Sequence, residues 1–176
     1  MNKILLDEKA IDKLLSRLSH EIVESVNSID SIAIVGIRTR GEIIAKKIAN
    51  KIFENYNKKV KFGVLDVTFH RDDFSSNLGS PKVGPSDISF NVNNKIIVLI
   101  DDVLYTGRTV RAAIDEIFSF GRPSSIKLGV LIDRGHRELP IKADFIGKNF
   151  PTSYNEHIYV LVKDIDGLNQ VKLVKQ

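Results

Sequence analysis

Hydrophobic positions along the chain follow two different periods. From Ile11 to Val26 apolar side chains recur every three or four residues, which predicts an amphipathic helix with Asp7 as a suitable N-cap. Short continuous apolar runs elsewhere predict strands that are buried on both faces. The two patterns alternate, with further helices predicted at 42–53 and from Val110 onward, and strands at 31–36, 60–69, 96–100, 126–132, 144–146 and 158–162.

This alternation predicts an α/β fold, in which a mostly parallel twisted sheet is flanked by helices on both faces. The sequence contains no internal repeat or linker, so residues 1–176 are expected to form a single domain. Residues 70–94 have little periodicity but contain several glycines and prolines. A connection of this length inside a compact domain is more often a functional lid than a passive loop.

Composition narrows the class of protein. The chain has 43% hydrophobic and 27% charged residues, as in globular proteins, and it has no apolar run of membrane-spanning length and no signal-peptide pattern. Zero cysteines exclude disulfides and thiolate catalysis, so we expect a cytoplasmic location and no membrane partner. The net charge of +4 suits phosphate ligands or RNA but establishes neither. Neither G-x-x-x-x-G-K-[ST] nor G-x-G-x-x-G occurs, which disfavours a kinase or a dehydrogenase.

The strongest chemical pattern is V-L-I-D-D-V-L-Y-T-G-R-T-V at 98–110, a buried strand, two acids, a glycine-containing loop and a helix start. A helix start has unpaired N–H groups and a positive dipole end, so it suits a phosphate. Gly107 would allow close backbone approach. The carboxylates of Asp101 and Asp102 suit ribose hydroxyls or Mg²⁺. The pattern therefore predicts a ribose 5-phosphate site, and the simpler alternative is a threonine N-cap beside two solvated aspartates.

Three further loops follow predicted strands. The loop at 38–41 has two arginines before a helix, and it is either a second anion site or a solvated turn. The string H-R-D-D at 70–73 opens the predicted lid, where an ordinary strand-end histidine is the simpler interpretation of His70. The string I-D-R-G-H at 132–136 follows the strand next to the 98–110 strand and should face the same crevice.

The 101–109 loop and its preceding strand resemble the phosphoribosyl pyrophosphate (PRPP) motif of type I phosphoribosyltransferases. The longer string V-L-I-D-D-V-L-Y-T-G-R-T-V-R-A is most similar to the PyrR family, pyrimidine operon attenuation regulators that are also uracil phosphoribosyltransferases. The strings G-R-P-S-S-I-K-L, V-L-I-D-R-G-H-R-E-L-P-I-K-A-D-F-I-G-K-N and P-T-S extend the similarity. It runs from about Leu6 to about Thr152, and the residues after it match loosely.

The resemblance implies the type I phosphoribosyltransferase fold with a flexible lid loop and a small hood. It implies that the protein synthesises uridine monophosphate (UMP) from uracil and PRPP. Mg²⁺ would enter with PRPP rather than be held by direct protein ligands. It implies a pyrophosphate loop whose peptide is sometimes cis. The implied sites are Asp101, Asp102 and Arg71 for catalysis; Thr106, Gly107, Arg108 and Thr109 for the 5-phosphate; Arg38, Thr39, Arg40 and Gly41 for pyrophosphate; and Asp133 and Arg134 for uracil, which is bound largely by backbone hydrogen bonds. His70 departs from the tyrosine common in the family, which leaves the lid contacts open.

Residues 122–148 hold six Lys or Arg against three acids. By itself this excess indicates a solvated basic face, since the sequence has no Trp and no RNP-type aromatic pattern. The resemblance instead implies binding of a stem-loop in the pyrimidine operon leader mRNA, promoted by UMP, on a surface formed across a homodimer or a higher homo-oligomer. The matching residues are Ser16, Arg17, His20, Arg137, Lys142 and Lys148.

The sequence leaves three functions open. The first is an enzyme that makes UMP, the second is a UMP-sensing RNA-binding regulator, and the family implies both together. The third is a phosphoribosyltransferase for another base, such as a purine, without an RNA-binding role. The base that the loop at 132–136 accepts should distinguish the third function from the first two.

Overall fold

The computed structural model describes residues 2–67 and 85–175. Its centre is a five-stranded sheet in which every neighbouring pair of strands is parallel. A parallel sheet of this kind must be covered on both faces, which agrees with the nearly continuous apolar runs that form it. From one edge to the other the strands are β3 (Lys61–Leu65), β2 (Ile32–Ile37), β4 (Ile96–Leu104), β5 (Ser125–Asp133) and β6 (Phe145–Asn149).

Three long helices cover the sheet: α1 (Glu8–Glu24), α2 (Arg40–Tyr56) and α3 (Arg108–Phe120). The Asp7 side chain caps α1 as predicted, accepting a hydrogen bond from the Ala10 N–H at 2.8 Å. Helices α1 and α2 pack on one face of the sheet and α3 packs on the other. In the part of the chain that the structure describes, no helix is long and apolar enough to cross a bilayer.

The central sheet therefore separates two hydrophobic cores. The core on the α1 and α2 face includes Ile48 and Ile132, both with zero exposure, and the core on the α3 face includes Leu99 and Ile117. Alternate residues of β4 contribute to opposite cores, Val98 to the first and Leu99 to the second. This alternation is the period of two that a strand imposes. The predicted α/β fold, with a parallel sheet flanked by helices, is confirmed.

A small antiparallel sheet forms the hood above the α1 and α2 face. It consists of β1 (Asn2–Leu6), β8 (Gln170–Lys175) and β7 (Glu156–Leu161), in that order. A four-residue helix, α4 (Lys163–Asp166), connects β7 to β8. The hood belongs to the first core through Ile158, Val160 and Val171. Of its strands, only β7 is predicted by the apolar pattern.

Two boundaries differ from the pattern in a way that affects the site. Strand β4 continues through the two acids to Leu104, so Asp101 and Asp102 lie within the strand rather than after it. Strand β5 likewise continues to Asp133. Residues 70–84 of the predicted lid lie outside the described residues. The described end of the predicted lid, 85–94, contacts β3, where Asp87 and Val64 exchange two backbone hydrogen bonds of 2.8 Å.

Helix α3 offers a direct test of the second core. Replacing Ile117, which has zero exposure, by Ala should lower the free energy of unfolding by about 2–5 kcal/mol, because a buried cavity is left. Replacing its neighbour Phe118, which is 55% exposed, by Ala should change it by less than about 0.5 kcal/mol. Urea unfolding of both variants measures the difference, and equal losses would contradict this placement of α3.

Candidate active site

The carboxyl ends of three adjacent strands bring the predicted site loops together. Strand β4 lies between β2 and β5, with Gly36 paired to Ile100 and Leu104 paired to Asp133. Because parallel strands end at the same edge of a sheet, the loops after β2, β4 and β5 are neighbours there. The structure therefore places the predicted pyrophosphate, ribose phosphate and uracil loops at one edge, with the ribose phosphate loop in the middle.

The two acids of β4 are buried and held by the main chain. Asp101 is 3% exposed and Asp102 is 7% exposed. Each carboxylate accepts the N–H of the next residue, Asp102 N to Asp101 Oδ1 at 2.9 Å and Val103 N to Asp102 Oδ1 at 2.8 Å. These hydrogen bonds fix the orientation of both carboxylates. This arrangement excludes the alternative of two solvated aspartates.

Gly41 brings the start of α2 against the first of these acids. A Cβ at Gly41 would lie 2.7 Å from the Ile100 carbonyl oxygen and 3.2 Å from Asp101 Oδ1. Such distances are too short for a side chain, so only glycine allows α2 to begin this close to β4. The first N–H groups of a helix and the Asp101 carboxylate are consequently neighbours, which is a useful arrangement for a ligand that carries both phosphate and hydroxyl groups.

The arginines of the 38–41 loop are both engaged by protein groups. The peptide bond between Arg38 and Thr39 is cis, as the resemblance implied. The Arg38 guanidinium donates to Glu42 Oε2 at 3.1 Å and to the Pro85 carbonyl at 3.2 Å. The Arg40 guanidinium donates to both carboxylate oxygens of Asp166 in α4, at 2.8 and 3.3 Å. The Thr39 side chain does not cap α2, so the first N–H groups of this helix add a further anion-binding element to the loop.

The loop after β4 leads directly into α3. Gly107 has a φ of +95° and is the N-cap residue of α3, a conformation that side chains rarely adopt. Thr106 is 4% exposed, and its Oγ accepts the Arg108 N–H at 3.2 Å. Thr109 is half-buried in the first turn of α3. The Arg108 side chain is exposed and pairs with Glu138 at 2.6 Å, so it lies beside the loop after β5.

The loop after β5 is held by two arginines. The carboxylate of Asp133 is bound by the Arg137 guanidinium, with both oxygens within 2.8 Å of Nη2. The Arg134 side chain is 4% exposed and donates to Thr152 Oγ1 at 3.2 Å and to the Glu156 carbonyl at 2.6 Å. The side chains of the two predicted uracil-binding residues, Asp133 and Arg134, are therefore bound by protein groups, and the expected route to the base is the main chain of this loop.

Tyr105 completes this cluster and was not singled out by the sequence. The Arg134 guanidinium carbon lies 4.0 Å from the centre of its ring, which is a cation–π contact. The His136 ring contacts Tyr105 and Tyr154, with centroids 6.3 and 4.2 Å away. Burial lowers the pKa of Arg134 from its ordinary value, although the nearby Tyr105 and Glu156 partly oppose this shift. The only sequence signal for Tyr105 is its position before Thr106.

The six residues predicted to contact RNA lie on three parts of the surface. Ser16, Arg17 and His20 lie on α1, where Arg17 donates to the Ile146 carbonyl of β6 at 3.0 Å. Lys142 and Lys148 are exposed before and on β6. Lys142 lines a groove with residues of α3, on the opposite face of the sheet from α1. Arg137 is engaged inside the loop after β5, a placement that favours a structural role.

The remaining predicted catalytic residue, Arg71, lies outside the described residues, as do His70, Asp72 and Asp73 of the same string. The described part of the chain therefore contains three of the predicted site loops and the end of the predicted lid.

Comparisons with known proteins show which family the chain belongs to. The family described as phosphoribosyl transferase domain matches residues 1–158. Among curated relatives, the bifunctional protein PyrR of Thermoanaerobacter sp. (strain X514) is 50% identical over 172 residues, covering 98% of this chain and 97% of that protein. The bifunctional protein PyrR of Clostridioides difficile (strain 630) is 51% identical, covering 96% of each.

A solved structure with the same fold is a hypoxanthine phosphoribosyltransferase from Staphylococcus aureus, with a TM-score of 0.73 and 19% identity, covering 98% of this chain and 91% of that one. At this identity the likeness establishes the fold alone, which is the predicted phosphoribosyltransferase fold. The sequence identity to the two curated relatives and the family match establish more: the chain belongs to the phosphoribosyltransferase family and, within it, to the PyrR family.

Proposed function

We propose that this protein converts uracil and PRPP to UMP and pyrophosphate, and that with UMP bound it binds pyrimidine operon leader RNA and attenuates transcription. The observation that carries the enzymatic half is the contact between Gly41 and Asp101, which joins a helix start to a buried carboxylate at the edge of the sheet. About 50% identity over nearly the full length of PyrR proteins supports both halves.

In this proposal PRPP spans two helix starts. Its 5-phosphate binds the N–H groups and hydroxyls of 106–109 at the start of α3, and its pyrophosphate binds the start of α2 at 38–41. The ribose between them presents its hydroxyls to Asp101 and Asp102, whose carboxylates are fixed by the main chain. Asp166 orients the Arg40 guanidinium beside the pyrophosphate.

Uracil lies against the loop after β5, and main-chain groups of 133–136 provide its hydrogen bonds. Gly135 and His136 both have positive φ, +81° and +60°, so the backbone turns sharply there. The Arg134 and Asp133 side chains support this turn rather than the base, since their polar atoms are bound within the protein. A panel of uracil, hypoxanthine and guanine tests the choice of base, and turnover of a purine in place of uracil would support the alternative.

The reaction forms a bond between uracil N1 and C1′ while the bond from C1′ to pyrophosphate breaks, and the released pyrophosphate takes up the proton that N1 loses. Positive charge develops on the ribose ring, and the buried carboxylates of Asp101 and Asp102 stabilise it because little water screens them. Negative charge develops on pyrophosphate, which Arg40, Arg71 and the start of α2 stabilise. No nucleophilic side chain takes part.

Mg²⁺ entering with PRPP fits the residues present. Mg²⁺ prefers hard oxygen ligands, which PRPP itself provides, and the nearby carboxylates of Asp101 and Asp102 would attract the cation without binding it directly. Within 2–67 and 85–175 no three His, Cys, Asp or Glu side chains group together to hold a metal. When bound, Mg²⁺ would neutralise charge on the leaving pyrophosphate.

Removing the two carboxylates tests the proposed chemistry. The double substitution D101N/D102N should abolish UMP synthesis, measured with radiolabelled uracil, because the charge that stabilises the ribose ring is lost. Either single substitution should lower kcat by about 10²–10³-fold. Asp115→Asn, at an exposed position of α3, is the control and should retain activity. Wild-type turnover by the double variant would contradict the assignment.

The close approach at Gly41 generates a second prediction. Gly41→Ala should lower kcat/KM for PRPP by about tenfold to a hundredfold, because its Cβ must push α2 away from β4 and misplace the pyrophosphate site. The same change should have a smaller effect on UMP affinity, since UMP has no pyrophosphate. Steady-state kinetics and UMP titration measure both quantities. Lys46→Ala, an exposed position on the same helix, is the control, and unchanged kinetics in Gly41→Ala would contradict the proposed site.

The proposed RNA-binding function requires a basic surface, and the residues expected to form it lie on two faces of one subunit. Ser16, Arg17 and His20 on α1, and Lys142 and Lys148 beside β6, provide hydrogen-bond donors to an RNA stem-loop. Because these residues lie on different faces of the sheet, a homodimer is the simplest way to assemble them into one surface. Phosphate contacts by lysine and arginine would make the affinity depend on salt.

Binding to the host's own pyrimidine leader tests this half. UMP should tighten binding of the leader stem-loop, measured by filter binding. Lys148→Gln should weaken it and reduce the slope of log K against log salt by about 0.7–0.9, the value expected for one phosphate contact. Lys46→Gln makes the same change of charge at an exposed position of α2. It should leave both the RNA affinity and the salt slope unchanged. The absence of any UMP effect in the wild-type protein would remove the regulatory half.

A further inference from the structure

Each nitrogen of the Arg137 guanidinium donates to a protein acceptor. Nε donates to the Ile141 carbonyl at 3.0 Å, and Nη1 lies 3.4 Å from the Leu104 carbonyl and 2.8 Å from the Tyr105 carbonyl. Nη2 lies 2.8 and 2.6 Å from the two carboxylate oxygens of Asp133. An arginine has five N–H donors, and five acceptor atoms surround them here. A direct contact to an RNA phosphate would require breaking this set.

The acceptors of Arg137 come from three places with different roles. Leu104 and Tyr105 precede the phosphate loop, and Asp133 begins the loop that receives the base. Ile141 is adjacent to Lys142, an exposed residue of the RNA surface. A single side chain therefore connects two ligand-binding loops to the backbone that carries an RNA contact.

The phosphate loop and the 137–142 segment, which Arg137 connects, are also closely packed against each other. The Thr106 carbonyl accepts the N–H groups of Glu138 and Leu139, at 3.0 and 3.1 Å. A Cβ at Gly107 would lie 3.2 Å from Ile141 Cδ1 and 3.4 Å from Leu139 Cβ. Because the phosphate loop and the 137–142 segment are bonded and closely packed, a shift of one on ligand binding displaces the other.

We infer that Arg137 is a positioning residue that transmits occupation of the nucleotide site to the RNA-binding surface, and that it does not itself contact RNA. This inference rests on the proposed function, since it assumes that UMP promotes RNA binding. UMP on the phosphate and base loops sets the positions of Tyr105 and Asp133, and Arg137 passes these positions to Ile141 and Lys142. By linkage, the factor by which UMP tightens RNA binding equals the factor by which RNA tightens UMP binding.

The test compares removal of this connection with removal of a phosphate contact. RNA affinity is measured with and without saturating UMP, at several salt concentrations, for wild type, Arg137→Gln, Arg137→Lys and Lys148→Gln. Arg137→Gln should bring the UMP enhancement, a factor of about 5–150 for typical coupling, close to one. Its salt slope without UMP should equal that of the wild type. Lys148→Gln, which removes a proposed phosphate contact on β6 outside this connection, should keep the UMP enhancement but reduce the salt slope by about 0.7–0.9.

Arg137→Lys separates the two roles of Arg137 further and keeps a positive charge beside the buried Asp133. Lysine cannot reproduce the planar fork that bonds three segments, so it should lose the UMP enhancement as Arg137→Gln does. If Arg137 instead contacts a phosphate, lysine should restore most of the affinity and Arg137→Gln should reduce the salt slope. That result would overturn the inference. UMP titration with and without RNA checks the reciprocal factor, and thermal unfolding verifies that both variants fold.

Failure of the inference and failure of the proposed function give different results. If the wild type shows a UMP enhancement that both Arg137 variants retain, only the role of Arg137 is wrong. If the wild type shows no enhancement, the regulatory function and this inference are both wrong. Uracil turnover, measured on the same samples, reports separately on the enzymatic half.

Discussion

The structure depends on the close approach of helix α2 to strand β4 at Gly41. The absence of a side chain there lets the helix start lie against the Ile100 carbonyl and the Asp101 carboxylate. Groups that attract anions and groups that repel them therefore occupy neighbouring positions. A ligand satisfies both only if it presents hydroxyls to the acids and phosphates to the helix starts, which is the chemistry of a phosphorylated ribose.

A second constraint joins the loops after β4 and β5. Arg134 and Arg137 lie in the same loop, but their guanidiniums bind different partners. Arg134 donates to the Glu156 carbonyl of the hood, and Arg137 donates to carbonyls at the end of β4. The buried Arg134 and the half-buried Arg137 are tolerated because their planar donors are matched by several acceptors. The phosphate loop, the base loop and the hood thus form one connected unit, which explains how a bound nucleotide could influence a distant surface.

Much of the fold could be predicted from the sequence. The apolar period located the three long helices and the central strands, because these elements bury enough side chains to show their pattern. It missed β1 and β8, which are short strands of the hood stabilised by pairing with each other, Lys3 with Leu173 for example. It also ended β4 too early, because Asp101 and Asp102 interrupt the apolar run although the strand continues through them to Leu104.

The sequence by itself determined which loops could bind anions, because a glycine and hydroxyl residues before a helix create that property locally. It also determined the family, through strings that cover nearly the whole chain. Only the tertiary structure decided what the charged side chains contact. Arg40 pairs with Asp166, Arg134 with Thr152 and Glu156, and Arg137 with three separate segments. Charge is a property of the residue, but its partner is chosen by the fold, because acceptors distant in the sequence become neighbours only when the sheet and the hood assemble.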